Sequence, residues 1–374
     1  MKTRLIEPGS VIGILGGGQL GRMMALAAKQ MGYYIAVLEP AGNSSCGQIA
    51  DYEFTAPYND REAAKKISSL ADIITYEFEN IDSDTAAWLA DNAYLPQGSR
   101  LLSISQDRGL EKEAIARAGV PIAPYMLIDD QQDLIAAGEK IGYPAVLKTC
   151  RGGYDGKGQA IITSKKEAQT AYEKLKQRGQ LVWEHFIAFT KELSVIVARS
   201  TTGETVCFPP AENIHHNNIL HKSIVPAGIT AETKDTAERI AQKLAVNFQM
   251  IGLLAVEMFL TENGEIYVNE IAPRPHNSGH YTIDACETSQ FEQHIRSICG
   301  WPLGSPELLK PVVMINILGQ HLPEVIRKIP SFRQVKLHLY GKQPPKKDRK
   351  MGHINILAED TDKALTLAKQ FNIW

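Results

Sequence analysis

The stretch GLLAVEMFLTENGEIYVNEIAPRPHNSGH, Gly252 to His280, decides the fold. Two apolar runs flank Asn263-Gly264, the strongest short-range signal for a two-residue hairpin turn. Setting that turn fixes a register: Glu262 opposite Glu265, Leu260 opposite Tyr267, and Glu257 opposite Glu270. Two carboxylates then face each other on one side of the ribbon, among Ala255, Phe259, Ile266 and Val268. Like charges directly opposite each other destabilise a sheet. At ~4 Å and an effective dielectric of ~20 the repulsion is roughly 4 kcal/mol, against ~0.2–1 kcal/mol from a good cross-strand pair. A shared proton or a divalent cation would compensate. Hard oxygen ligands with few other donors nearby suit magnesium held jointly with substrate phosphates. The alternative is a different register with both glutamates solvated. Regular alternation would point Asn269 away from both carboxylates.

Around this hairpin the chain is 374 residues long, enough for two or three domains. With 44% hydrophobic residues it can fill packed cores. A net charge of −2 and a pI near 6.6 give no global attraction to nucleic acid or an anionic membrane. No apolar run is long enough for a transmembrane helix. The first residues, Met1 to Leu5, lead into a strand and lack the apolar core of a signal peptide. Five scattered cysteines, Cys46, Cys150, Cys207, Cys286 and Cys299, form no C-x-x-C. They read as reduced thiols of a cytosolic protein without a zinc site.

The N-terminal part opens as a β-α-β unit. Val11–Leu15 is a buried strand, Gly16-Gly17-Gly18-Gln19-Leu20-Gly21 a turn, Arg22–Met31 a helix, and Tyr34–Leu38 a strand ending at Glu39. This matches G-x-G-x-x-G with a following acid, a dinucleotide fingerprint that is weak alone. Its physics is close approach to a helix N-terminus that attracts phosphate; a plain strand-to-helix turn is the alternative. The strand Asp72–Tyr76 ends in Glu77-Phe78-Glu79-Asn80, where open α/β sheets bind ligands. A boundary is expected near Leu95-Pro96-Gln97-Gly98. In the helix expected over Gln106–Ala118, Arg108 sits in the first turn. A cation gains nothing from the dipole there, so an outside partner or a solvated side chain is expected.

Lys148 lies inside the short apolar strand Ala145–Thr149, where a lysine is costly unless paired. Arg151-Gly152-Gly153-Tyr154-Asp155-Gly156-Lys157-Gly158 follows, then the strand Gln159–Thr163. This glycine loop can lay backbone N–H groups on phosphates, or it is an ordinary hairpin. It is not a Walker loop, because Lys157 precedes glycine and a strand follows. After a helix over Ser164–Arg178, strand Leu181–Glu184 runs into His185-Phe186-Ile187, with Glu192 eight residues after Glu184. His215 and His216 are adjacent on a strand, so at most one can join a site. Near the C-terminus, Lys342-Gln343-Pro344-Pro345-Lys346-Lys347-Asp348-Arg349-Lys350 carries five cations in nine residues, a local anion site or a solvated loop.

A strand lysine, a glycine-rich hairpin, a strand ending in Glu184 and a closing hairpin ending Asn269-Glu270 resemble the ordered parts of the ATP-grasp superfamily. GGGQLGRM, RGGYDGKG, NEIAPRPHNSGH and RKMGH together resemble the 5-(carboxyamino)imidazole ribonucleotide synthases of purine biosynthesis over essentially the whole chain. The resemblance implies an α/β fold, α+β in part. Residues 1–104 would form a Rossmann-like pre-ATP-grasp domain, 105–301 the ATP-grasp domain with its lid, and 302–374 a small C-terminal domain.

It also implies roles. Arg108 and Lys148 would contact ATP phosphates, with Gly153, Tyr154, Asp155, Gly156, Lys157, Gly158 and Gln159 as the lid. Glu184, His185, Phe186 and Ile187 would bind adenine, Glu192 the ribose, and His215 the nucleotide. Glu257 and Glu270 would hold magnesium, or manganese in its place, beside Asn269. Tyr154, Asp155, Arg274, His276 and Lys350 would line the carboxylation site; Gln19, Leu20, Glu77, Arg274, Lys342, Arg349 and Lys350 would bind the ribonucleotide. The implied partners are ATP, bicarbonate and 5-aminoimidazole ribonucleotide, with no nucleic acid or membrane, in a cytoplasmic homodimer. Another ATP-grasp carboxylase or formyltransferase shares the ATP parts. A nicotinamide dehydrogenase would explain the first glycine turn and Glu39, but not Lys148, the second loop or the glutamate pair.

Overall fold

Strand β1 (Val11–Leu15) is apolar on both faces because helices cover both. Ile12 and Ile14 pack with Met24 of α1 (Gln19–Gln30), while Leu15 packs with Ile67 of a second helix, α2 (Arg61–Leu70). With β2 (Tyr34–Glu39), β3 (Tyr52–Thr55) and β4 (Ile73–Tyr76) it forms a parallel sheet in the order β3-β2-β1-β4. The computed structural model describes residues 4–153, 156–371 and 373. Helix α1 begins at Gln19, three residues before the expected start, so the glycine turn is tighter than the sequence suggested. Helices α3 (Ser83–Asn92) and α4 (Arg100–Ser105) lead to α5 (Arg108–Arg117). The Asp107 carboxylate caps α5 by accepting from the N–H groups of Gly109 and Leu110. That cap starts the helix at Arg108 rather than at Gln106.

A second, antiparallel sheet follows. Strands β5 (Tyr125–Ile128), β6 (Ala145–Thr149), β7 (Gln159–Ile162) and β8 (Leu181–His185) lie in the order β5-β8-β6-β7. Helices α6 (Gln131–Lys140) and α7 (Lys165–Leu175) bury Leu134, Ala137 and Tyr172 against Leu147 and Trp183.

The largest sheet holds β9 (Phe189–Arg199), β10 (Thr205–Cys207), β11 (Ala211–His216), β12 (Ile219–Val225), β13 (Gly252–Thr261) and β14 (Ile266–Ala272). Helix α8 (Ala231–Asn247) covers it, burying Ile240 and Leu244 against Val195 and Val256. After α9 (Thr282–Ala285) and α10 (Gln290–Cys299), the sheet continues in β15 (Val312–Leu318). Helix α11 (Leu322–Lys328), β16 (Val335–Leu339), β17 (Lys350–Leu357) and α12 (Thr361–Phe371) complete the chain. Pairing of Lys222 with Ile315 and of Val225 with Val312 joins the two halves, in the order β14-β13-β9-β11-β12-β15-β17-β16. Among the described residues no helix is long and apolar enough to cross a membrane.

The hairpin differs from its expected register in two compensating ways. Thr261 N–H donates to Glu265, and Gly264 takes φ +82°, giving a three-residue loop. Leu260 therefore pairs with Ile266, not Tyr267, and Glu262 does not face Glu265. A bulge at Asn269 then restores the count, so Glu257 does pair with Glu270. Between loop and bulge the faces are reversed. Ile266 and Val268 pack with Met258 and Leu260 beneath α8, not beside Glu257.

Candidate active site

The bulge breaks strict alternation along β14, leaving Asn269 and Glu270 both half-buried in succession. The Asn269 side-chain oxygen is buried and accepts nothing. Arg108 donates to Glu270 at 3.0 Å, so its partner is indeed outside its own helix. Burial, then the facing Glu270, push the Glu257 carboxyl upward. Burial acts on Glu270 too, but Arg108 and Lys148 hold it below the usual range. The asymmetry answers the like-charge clash: one carboxylate keeps its charge against cations, and the other is driven toward its protonated form. Glu270 remains 38% exposed, so this end of the pair opens outward.

Lys148 bonds Glu184 across β6 and β8 at 3.1 Å, supplying the partner its buried strand required. Lys112 bonds the same Glu184 oxygen at 2.9 Å. Burial works against the Glu184 charge, but Lys112 and Lys148 hold its carboxyl at about 2. Its second oxygen is buried without a partner. Burial lowers Lys148. His185 pairs with Ala145, Phe186 N–H donates to the Pro144 carbonyl, and Ile187 is buried, so this segment runs beside β6.

On the other side of the pair, His276 approaches Glu257 at 3.2 Å. Burial, then Arg274, push the imidazole down to about 3, so it is neutral. Arg274 donates to Glu79 at 2.5 Å, and against burial it holds that carboxyl at about 2. His215 contacts Glu192 at 2.7 Å; burial opposes its charge, but Glu192 raises it. Lys350, the first residue of β17, lies within electrostatic reach of both His215 and His276.

The N-terminal turn joins from across the molecule. Gly17 N–H donates to Glu39 at 2.7 Å, and the N–H groups of Gly18 and Gly21 donate to Glu77. A Cβ on Gly16 would meet the Glu77 side chain at 2.4 Å, which is why glycine is needed there. Burial pushes Glu77 up to about 7. Lys342 donates to Gln19, and burial brings it down to about 8. Leu20 is buried in the core under β1. Arg349 turns back on its own loop, donating to the carbonyls of Gln343 and Pro344.

The segment expected to form a lid starts at Gly153. Tyr154 and Asp155 lie outside the described residues. Gly156 and Gly158 take φ +75° and +83°, and a Cβ on Gly156 would meet the Asn218 side chain at 2.3 Å. Lys157 lies between them, and Gln159 opens β7 opposite Lys148. Sequence reasoning missed Lys112, Glu111 and the Glu79–Arg274 pair. The signal for the first two was their spacing of three and four from Arg108, which shares one helix face.

The ATP-grasp domain matches residues 113–291, the ribonucleotide synthetase preATP-grasp domain residues 10–106, and the phosphoribosylaminoimidazole carboxylase C-terminal domain residues 312–366. The N5-carboxyaminoimidazole ribonucleotide synthase of Bacillus subtilis is 55% identical, covering 97% of this chain and 95% of that protein. The corresponding protein of Staphylococcus aureus is 42% identical over 97% and 96%. A solved ADP complex of an N5-carboxyaminoimidazole ribonucleotide synthetase superposes with a TM-score of 0.97 at 56% identity, covering 100% of this chain and 98% of that one. The Aspergillus clavatus enzyme, solved with ADP and 5-aminoimidazole ribonucleotide, gives 0.91 at 32% identity over 98% of both. The chain thus belongs to the N5-carboxyaminoimidazole ribonucleotide synthases, ATP-grasp ligases that carboxylate 5-aminoimidazole ribonucleotide in purine biosynthesis.

Proposed function

We propose that the chain forms carboxyphosphate from ATP and bicarbonate and passes its carbon dioxide to the amine of 5-aminoimidazole ribonucleotide. One observation carries the residue-level reading. The Glu257–Glu270 pair is met by Arg108 from the nucleotide side and by His276 from the opposite side. The nucleotide lies between the small and large sheets, near Lys148, Glu184–Ile187, Glu192 and His215. A lid built on Gly153 and on Gly156 to Gln159 closes on it. Glu257, Glu270 and the unpartnered Asn269 oxygen suit a hard divalent cation such as magnesium, or manganese in its place. When bound, that ion supplies charge neutralisation for phosphoryl transfer.

Bicarbonate oxygen attacks the γ-phosphorus, ADP leaves, and Lys148 and Arg108 take up charge on the phosphates. Carboxyphosphate breaks to carbon dioxide and phosphate in a site from which the lid excludes water. The amine attacks carbon dioxide and loses one proton, giving the carbamate. Asp155 and His276 are the candidate bases for that proton. Arg274, fixed by Glu79, and Lys350 orient carboxyl groups. Gln19, Lys342, Arg349 and Lys350 hold the ribonucleotide, with the buried Leu20 and Glu77 shaping the turn that presents Gln19. We further propose the division at residues 1–104, 105–301 and 302–374, a homodimer, and a cytoplasmic location.

Labelled bicarbonate tests the reaction. ADP release should need bicarbonate and the ribonucleotide for full rate, and label should appear in a carbamate. Full ATP consumption with another amine and no labelled carbamate would overturn the acceptor. Glu270→Gln should abolish turnover with the fold intact, and Glu257→Gln should act similarly. Wild-type turnover by either at low magnesium would remove the cation assignment.

A further inference from the structure

Helix α5 grips three consecutive residues of β14. Arg108 donates to the Glu270 carboxylate at 3.0 Å, Lys112 to the Asn269 carbonyl at 2.9 Å, and Glu111 accepts from Ile271 N–H at 2.8 Å. Positions i, i+3 and i+4 share one helix face, so a single stripe holds the bulge. Lys112 has a second bond, to Glu184 in β8 at 2.9 Å. Its side chain has no exposure, so it cannot reach a ligand in the open cleft.

A fully buried lysine is costly unless paired, and this one is paired on two sides. The extra residue of a bulge leaves the strand ladder unpaired. Asn269 has no partner in the β13 register, and Lys112 takes its carbonyl. One ammonium therefore ties the bulge of the large sheet to the closing strand of the small sheet. Glu111, wholly buried, anchors the next residue of β14.

We propose that Lys112 is a positioning residue for the nucleotide, with Glu111 as its second anchor. It keeps the bulge formed, so that Asn269 and Glu270 face the cleft together. It also fixes the gap between the two sheets that close on ATP. This rests on the placement of the nucleotide given above.

The test compares Lys112→Met, Lys112→Gln and Lys112→Arg with wild type. Calorimetric titration with ADP and magnesium should show at least a tenfold loss of affinity for Lys112→Met. The KM for ATP should rise in parallel, while the KM for the ribonucleotide stays within twofold. Hydrogen exchange of the ligand-free variant should lose protection at residues 269–271 and keep it in β9. Lys112→Gln should fall between, and Lys112→Arg should return ADP affinity to within threefold. A merely structural lysine would lower the active fraction and leave both KM values alone. Folded Lys112→Met or Lys112→Gln with wild-type ADP affinity and protection overturns the proposal. If neither accumulates folded, wild-type exchange decides: a slow Ile271 amide before nucleotide is added supports it, and a fast one overturns it. Wild-type ADP binding and turnover by Glu270→Gln would instead discredit the nucleotide placement itself. If Glu270→Gln is inactive and the Lys112 variants match wild type, only this inference falls.

Discussion

Glu184 is a carboxylate between two ammonium groups, and its charge belongs to the fold as much as to the cleft. Its carboxyl, near 4.3 when unfolded, is held at about 2 in the folded chain. A depressed acid stabilises above its unfolded value and loses that contribution as pH falls through the folded one. The gap corresponds to at most about 3 kcal/mol. We therefore expect the stability advantage of wild type over Glu184→Gln to be largest above pH ~5 and to shrink steadily toward pH ~2. Denaturant melts at four pH values check this; an advantage that does not change with pH would place the two lysines elsewhere. Residues of this kind were unevenly legible. Lys148 stands out because a lysine in a short apolar strand demands a partner. Lys112 does not, because it sits in Glu111-Lys112-Glu113, which reads as a solvated helix face until the tertiary fold covers one side of it.

At the level of elements, the lid and the bulge carry the predictions and the surprises. Gly156 has a left-handed backbone and the Asn218 side chain against it. Alanine there strains the described lid position by ~1 kcal/mol, about fivefold in the KM for ATP. The melting temperature should barely move, because few apolar contacts depend on the loop. Residues Gly152–Gly158 should exchange rapidly without nucleotide and slowly with ATP bound. Equal exchange in both states would mean an ordinary hairpin. The glutamate pair was legible from Asn263-Gly264, yet through a register that is wrong between loop and bulge. A three-residue loop and an extra residue at Asn269 each shift the pairing by one, in opposite senses. Turn chemistry alone does not separate those possibilities, since Asn-Gly serves both loop lengths. Packing under α8 selects the observed one by burying Ile266 and Val268.

Across the whole molecule, the order of parts was legible, but the way they share a sheet was not. Strands β12 and β15 are separated by the helices α8, α9 and α10 and the entire glutamate hairpin, so no local pattern announces their pairing. That pairing makes the C-terminal segment part of the scaffold that carries Glu257 and Glu270. A chain ending at residue 301 would expose the apolar edge of β12, including Ile224 and Val225, to water. We expect it to aggregate, and size-exclusion chromatography of the truncated chain checks this; a monodisperse product with a cooperative melt would show the seam to be dispensable. The N-terminal turn has a different lesson. Its glycine N–H groups face Glu39 and Glu77, so the place where a dinucleotide's phosphates would rest is filled by the protein's own acids. At this turn the chain acts as its own ligand. A glycine fingerprint advertises a vacancy only where the neighbouring strand ends carry no carboxylate to claim it first.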